Sequence, residues 1–339
     1  MTMVRPLIVT MGDPAGVGPE IIARAWSVLG SAPGPLPPVV PFVVVGDAEV
    51  LKAQGQPVEA VISPADAASV FGRAIPVLHH PAPAPVTAGQ PEPANAIAVA
   101  DWIERGVDLV LSGEGCGLVT APIAKAPMYA SGFRFPGHTE FIAELTADVP
   151  FSGARGPVMM LTAQNLRACL VTIHVPIDQL PELVTGERVA RVARVVHESM
   201  KRDFGISAPR LALAALNPHA GEGGAIGLQE VTVLRPAAEA LRAEGLNITD
   251  PLPADTLFHE EARARYDAVV CLYHDQALIP VKTLDFWGGV NATLGLPIVR
   301  TSPDHGTGFD IAGKGVARAD SFIAAVRLAS EMASARAAR

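Results

Sequence analysis

Three histidines each follow a short apolar run: His174 closes ACLVTIH, His219 follows LALAALNP, and His274 follows AVVCLY. Neutral imidazole is a common ligand for borderline divalent ions such as Zn²⁺, and three protein ligands with one open position is the usual catalytic arrangement. Any one of these residues alone reads as an ordinary loop histidine. Three of the nine histidines in equivalent places point to a metal site. Asp275 follows His274 directly and Asp255 stands in PLPADTLF. Either carboxylate can orient a ligating imidazole by accepting from its other ring nitrogen.

A second group of residues suits an anion. In FPGHTEFIAEL, Gly137, His138 and Thr139 precede an apolar helical run. Thr139 is therefore expected as the N-cap, with the open donors of the helix end beside it; a simple cap accounts for the same residues. VKTLDFWGGVNATLGLPIVRTS adds Lys282, Asn291 and Arg300. An ammonium, an amide and a guanidinium together match a carboxylate or a phosphate, although each taken singly reads as a surface residue.

Glycine-rich loops form a third signal. TMGDPAGVGPEI follows the first apolar run, but glycines at 12, 16 and 18 do not make the G-x-G-x-x-G of a dinucleotide fold. NPHAGEGGAIG reads equally as an anion-binding nest or as a flexible loop around His219. DHGTGFDIAGKGVA, residues 304–317, is the better cofactor candidate: Gly306 and Gly313 let the backbone approach a ligand, while His305 and Asp310 can address adenine and ribose edges, although its chemistry alone marks only a ligand loop.

These residues need strand ends and helix starts to hold them. The short β-rich runs are 7–11, 39–45, 117–120, 158–162, 168–173, 211–216, 268–273 and 292–299. Helical patterns fill 19–29, 94–105, 139–145, 187–204, 228–244 and 319–333. Alternation of this kind implies a mostly parallel sheet with helices on both faces, and ligands at the carboxyl ends of its strands. Val269, Val270, Cys271 and Leu272 read as a strand buried on both faces. HHPAPAPVTAGQPEP, residues 79–93, reads as an extended surface loop. The number of strand and helix units favours two α/β domains over one.

Composition narrows the function. With 339 residues, 49% hydrophobic and 18% charged, the chain can bury a large core. A net charge of −8 without a Lys/Arg cluster speaks against nucleic acid and against an acidic membrane surface. Three widely spaced cysteines fit a reducing compartment, and no run approaches a membrane span. The amino-terminal MTMVRPLIVTMGDP meets glycine and proline too early for a secretory signal. A cytoplasmic protein is expected.

GDPAGVGPE, PGHTEF, NPHAGEGG, PLPADTLF, YHDQ, GVNATLGLPIVRTS and DHGT, in this order across nearly the whole chain, resemble the 4-hydroxythreonine-4-phosphate dehydrogenase family of vitamin B6 biosynthesis. HGTGFDIAGKG is similar to the cofactor loop of isopropylmalate and isocitrate dehydrogenases. The resemblance implies two α/β/α domains around a cleft, isocitrate/isopropylmalate dehydrogenase-like and not a standard Rossmann fold. Residues 1–130 with 301–339 would form the cofactor side, and 131–300 the metal, substrate and dimerisation domain. It also implies a homodimer with the active site near the subunit interface. His174, His219 and His274 would be the metal ligands, one of them from the neighbouring subunit. His138, Thr139, Lys282, Asn291 and Arg300 would bind substrate, and NAD or NADP would lie on the loop holding His305, Gly306, Asp310 and Gly313. Imidazole donors favour zinc, with cobalt or magnesium as the other choices. The chemistry implied is oxidation of 4-phosphooxy-L-threonine at C3, followed by loss of CO₂ to give 3-amino-2-oxopropyl phosphate. Relatives acting on D-threonate or D-erythronate 4-phosphate or on aromatic dihydrodiols share these motifs. A metal-dependent phosphohydrolase and a phosphometabolite sensor are the readings from other classes, and the AGKG loop argues against both.

Overall fold

Strand β1 (Leu7–Thr10) is buried at every position, as a run of LIVT without polar alternation requires of a central parallel strand. The others are β2 (Phe42–Gly46), β3 (Val58–Ala60), β4 (Ile75–His79), β5 (Gly117–Thr120), β6 (Val158–Ala163), β7 (Leu166–Leu170), β8 (Arg210–Ala214), β9 (Asn247–Leu252), β10 (Ala268–Cys271), β11 (Val290–Leu294) and β12 (Arg300–Pro303). The computed structural model describes residues 5–30 and 39–339, so the first four residues of the amino-terminal stretch read above lie outside the described residues. The chain divides into two units. One holds the residues up to Pro150 together with Pro297–Ser334, the other Phe151–Leu296 with Ala335–Arg339.

In the first unit the strand order is β3-β4-β2-β1-β5-β12, and every pairing is parallel. A Rossmann sheet runs 3-2-1-4-5-6, so this is a different winding, as expected. The helix Asn95–Leu111 covers β1, β2 and β5. Its Gly106 lies over the sheet so closely that a Cβ there would stand 2.9 Å from Leu118 Cδ1 and 3.1 Å from Thr10 Cγ2. Close helix-on-sheet packing at that point requires glycine. The helix Gly18–Leu29 starts with Pro19 and Glu20 in its first turn, both suited to a helix start.

In the second unit the order is β11-β6-β7-β10-β8-β9. β11, β6 and β7 pair antiparallel, while β7, β10, β8 and β9 run parallel. Leu161, Leu170, Ala212, Val269, Cys271, Ala277 and Val281 form part of one buried cluster between this sheet and the helix His274–Leu284. The helix Gly186–Phe204 is capped by the Thr185 hydroxyl, which accepts from Arg188 N, and ends on Gly205 in the left-handed conformation.

Three expectations need correction. Residues 292–299 do not form one strand: Gly295, at φ +75°, ends β11, and β12 starts at Arg300. The apolar pattern runs on across that turn and hides it. The segment after β10 is a helix that the sequence reading lacks, because Pro280 sits inside it. The helix around His138 starts at His138 with Gly137 as the cap and no side-chain cap bond, so Thr139 is its second residue and buried. Among the described residues, no helix is long and apolar enough to cross a membrane.

Candidate active site

The buried run of β10 leads through Leu272 and Tyr273 straight into the helix His274–Leu284, so His274 and Asp275 stand in that helix's first turn at the strand's carboxyl end. His274 Nδ1 lies 2.7 Å from Asp275 Oδ1. That contact leaves Nε2 as the nitrogen able to face a ligand. The His174 and His274 rings have centroids 5.6 Å apart. Both line an open pocket of about 440 Å³ with Ile173, Pro176, Leu180, Tyr273 and Asp275. Thr172 ties the two approaches together, its hydroxyl donating to the Leu272 carbonyl at 2.7 Å.

His219 does not join this pair. It is exposed on the segment Pro218–Gly224 that leaves β8, at φ +52°. Among the described residues, no group of three or more His, Cys, Asp or Glu side chains of one chain is gathered closely enough to hold a metal ion. Glu230 holds the start of the His219 segment. Burial alone would raise its pKa, but hydrogen bonds from the Asn217 side chain and from backbone N–H groups outweigh burial and keep it below the ordinary carboxylate value. Asp255 is exposed on the turn Ala254–Thr256, which packs against the His219 segment.

In the first unit, Arg300 is only 2% exposed at the start of β12, and its Nη2 donates to Thr120 Oγ1 at 2.7 Å. Burial lowers its pKa to about 10, with Glu140 pulling the other way. The guanidinium stays charged at neutral pH. His138 Nε2 is sealed from solvent and has no hydrogen-bond partner among the described residues. Desolvation, then the nearby Arg300 charge, holds this imidazole well below its usual pKa. A neutral imidazole beside a buried cation can take part in holding an anion. In the second unit, Asn291 Oδ1 is likewise buried without a partner among the described residues, and Lys282 Nζ lies 5.3 Å from the Phe286 ring centroid.

The loop carrying His305, Gly306, Asp310 and Gly313 is seated on the GDPAGVGPE segment. Val17 N donates to Thr307 O at 2.8 Å and Ala317 N to Glu20 Oε1 at 2.9 Å. A Cβ on Gly16 would meet Thr307 O at 2.9 Å, so that glycine serves loop packing. Gly313, at φ +73°, lies against Ala88. His305 and Asp310 are exposed, and His305 Nδ1 is 2.9 Å from Gly306 O. The sequence reading missed Thr120, Glu140, Glu230 and Gln276. Two of them carried a signal: Glu140 stands in PGHTEF and Gln276 in YHDQ.

The pattern of the family described as pyridoxal phosphate biosynthetic protein PdxA matches residues 39–329. The chain belongs to the PdxA family. It is an oxidoreductase, as its PdxA relatives are named. It is 60% identical over 334 residues to the 4-hydroxythreonine-4-phosphate dehydrogenase of Caulobacter vibrioides, covering 98% of each chain. With the enzyme of that name from Maricaulis maris it shares 53% over 349 residues, 99% of this chain and 100% of that one. The crystal structure of the Klebsiella pneumoniae 4-hydroxythreonine-4-phosphate dehydrogenase superposes with a TM-score of 0.84 at 35% identity, covering 97% of this PdxA chain and 99% of that one. A terephthalate 1,2-cis-dihydrodiol dehydrogenase from Burkholderia xenovorans reaches 0.66 at 27%, with 96% and 98% covered.

Proposed function

We propose that this chain oxidises 4-phosphooxy-L-threonine at C3 with NAD or NADP and a divalent metal ion. The 2-amino-3-oxo-4-phosphooxybutanoate so formed loses CO₂ to 3-amino-2-oxopropyl phosphate, a step of pyridoxal phosphate biosynthesis. The observation that carries the reading is the pair of imidazoles, His174 and His274, 5.6 Å apart at neighbouring strand ends, within a chain of the PdxA family.

The donor set fits a borderline divalent ion. Two imidazoles converge on one pocket, and Asp275 fixes the orientation of one of them. His219 of a second copy of the chain completes the set in a homodimer. Zinc or cobalt suits these donors better than magnesium. When bound, such an ion supplies positive charge that acidifies a hydroxyl.

The chain's own residues bind and orient. Arg300, fixed by Thr120, meets an anionic group of the substrate in a water-poor site where its charge is weakly screened. His138 stays neutral beside it and offers a hydrogen bond without adding charge. Thr139, Lys282 and Asn291 complete the substrate contacts. The loop with His305, Gly306, Asp310 and Gly313 takes the nucleotide, held in place by its contacts to Val17 and Glu20.

The test is NADH or NADPH formation by purified protein with 4-phosphooxy-L-threonine, beside D-threonate and D-erythronate 4-phosphates, after chelation and after Zn²⁺, Co²⁺ or Mg²⁺ is restored. Turnover of the amino acid phosphate that stops on chelation and returns with metal is the expected result. Turnover of a sugar-acid phosphate alone would overturn the substrate, and phosphate release without reduced nucleotide would overturn the reaction class.

A further inference from the structure

The geometry points to Glu230 as the residue that positions His219 for metal binding. The inference rests on His219 being a ligand, as proposed above. His219, Ala220, Gly221, Glu222, Gly223 and Gly224 are six successive residues at positive φ, between +43° and +106°, and three of them carry side chains. A left-handed run of this kind is disfavoured for L-residues and persists only where its surroundings dictate it. Glu230 is the group that dictates it.

Its carboxylate is 1% exposed and sits 13 residues beyond Asn217 in the chain. Oε1 accepts from Leu216 N at 2.8 Å and from Asn217 N at 2.7 Å; Oε2 accepts from Asn217 Nδ2 at 2.9 Å. These are the last residues before Pro218 and His219, so both the end of β8 and the entry to the segment are fixed by one side chain. The far side of the segment rests on the same group: a Cβ on Gly221 would lie 2.7 Å from Glu230 Oε2. Gly227 closes over Asn217, where a Cβ would stand 2.4 Å from Nδ2. Glu230 also opens a turn of π-helix, Glu230–Leu234. Such extra-residue turns occur often at functional sites and here present the carboxylate to the loop.

The experiment uses the full-length protein, stripped of metal by chelation and titrated with Co²⁺ while the visible absorption of the bound ion is followed. The variants are Glu230→Ala, Glu230→Gln and His219→Ala, each checked by far-UV circular dichroism and thermal unfolding. Glu230→Ala is expected to weaken Co²⁺ binding by about 10- to 100-fold in folded protein, the range seen when a ligand's supporting partner is removed. Glu230→Gln retains one amide oxygen for the backbone donors and should lose only a few-fold, which keeps the test decisive if the alanine variant does not fold. A merely structural role would lower the melting temperature and leave Co²⁺ affinity unchanged. Wild-type affinity in both Glu230 variants, with binding lost in His219→Ala, would overturn the positioning role alone. Wild-type affinity in His219→Ala would overturn the ligand assignment as well.

Discussion

Gln276 Nε2 donates to the Ala215 carbonyl at 2.7 Å, a bond that crosses from the helix carrying His274 to the end of β8, the strand that leads to His219. The same amide's Oε1 accepts from Leu272 N at 2.7 Å, at the end of β10. One buried side chain therefore satisfies two backbone groups just past the ends of β8 and β10. It also sets the spacing between two of the three histidine-bearing strand ends.

Replacing Gln276 by Leu should leave the Leu272 N–H and the Ala215 carbonyl buried and unpaired. Each such group costs roughly 1–3 kcal/mol, so a loss of about 2–6 kcal/mol is expected in denaturant unfolding. Gln276→Glu keeps the acceptor but sets a carboxylate oxygen against the Ala215 carbonyl, and should be at least as harmful. A change in stability below about 0.5 kcal/mol for both variants would mean that the amide does not staple the strands.

The pairing of His174 with His274 is legible in sequence because buried strands are apolar runs, and the residue after such a run must lie at a sheet end. β3, β4 and β9 are not legible in the same way. β3 is three residues long, and β4 and β9 contain Pro76 and Pro251, which break the strand pattern although the backbone stays extended. The helix from His274 is hidden by Pro280, since packing of Ala277 and Val281 into the core outweighs the proline's cost. His219's left-handed setting depends on Glu230, a polar contact over 13 residues that no periodicity encodes. His138 and Arg300 can each be picked out by residue type, but their mutual burial follows from the tertiary fold alone.

His138 gives the fold an acid limit. Its folded-state pKa lies below the value of 6.5 that an exposed imidazole takes, because burial and then Arg300 disfavour the charged form. The unfolded chain therefore binds the extra proton first. Stability is unaffected by this group above about pH 6.5 and falls as pH drops below it, by up to about 1.4 kcal/mol per pH unit. Denaturant unfolding at pH 7.5 and 5.5 should show wild type losing about 1.4 kcal/mol more than His138→Gln. Equal losses in the two proteins would show that the ring takes up its proton within the fold.

Asp203 holds two guanidinium groups in the second unit. Its side chain is fully buried and accepts from Arg202 Nε at 2.8 Å and from Arg336 Nε at 2.7 Å. Removing one partner of a buried pair leaves the other charge uncompensated, at a cost of roughly 3–5 kcal/mol. Asp203→Asn, nearly equal in shape, should thus lower the melting temperature by about 4–7 °C. A shift under about 2 °C would place the pairing among the weak surface ion pairs.

The cysteines should be chemically silent in the native protein. Cys169 and Cys271 are fully buried, and burial raises both thiol pKa values; at Cys271 the neighbouring Cys169 adds to the rise. Cys116 is partly exposed, yet burial of its sulfur pushes it to about 11, against the smaller opposing pull of a backbone hydrogen bond and Arg5. Only the thiolate attacks a disulfide reagent, so at pH 8 about one Cys116 in a thousand is reactive at any moment. Titration with an aromatic disulfide should show no rapid phase in native protein and three thiols once it is unfolded in guanidinium. A single thiol reacting at the rate of free cysteine would locate a lowered pKa at Cys116, the one cysteine with exposed surface, and would require a cation nearer to its sulfur than Arg5.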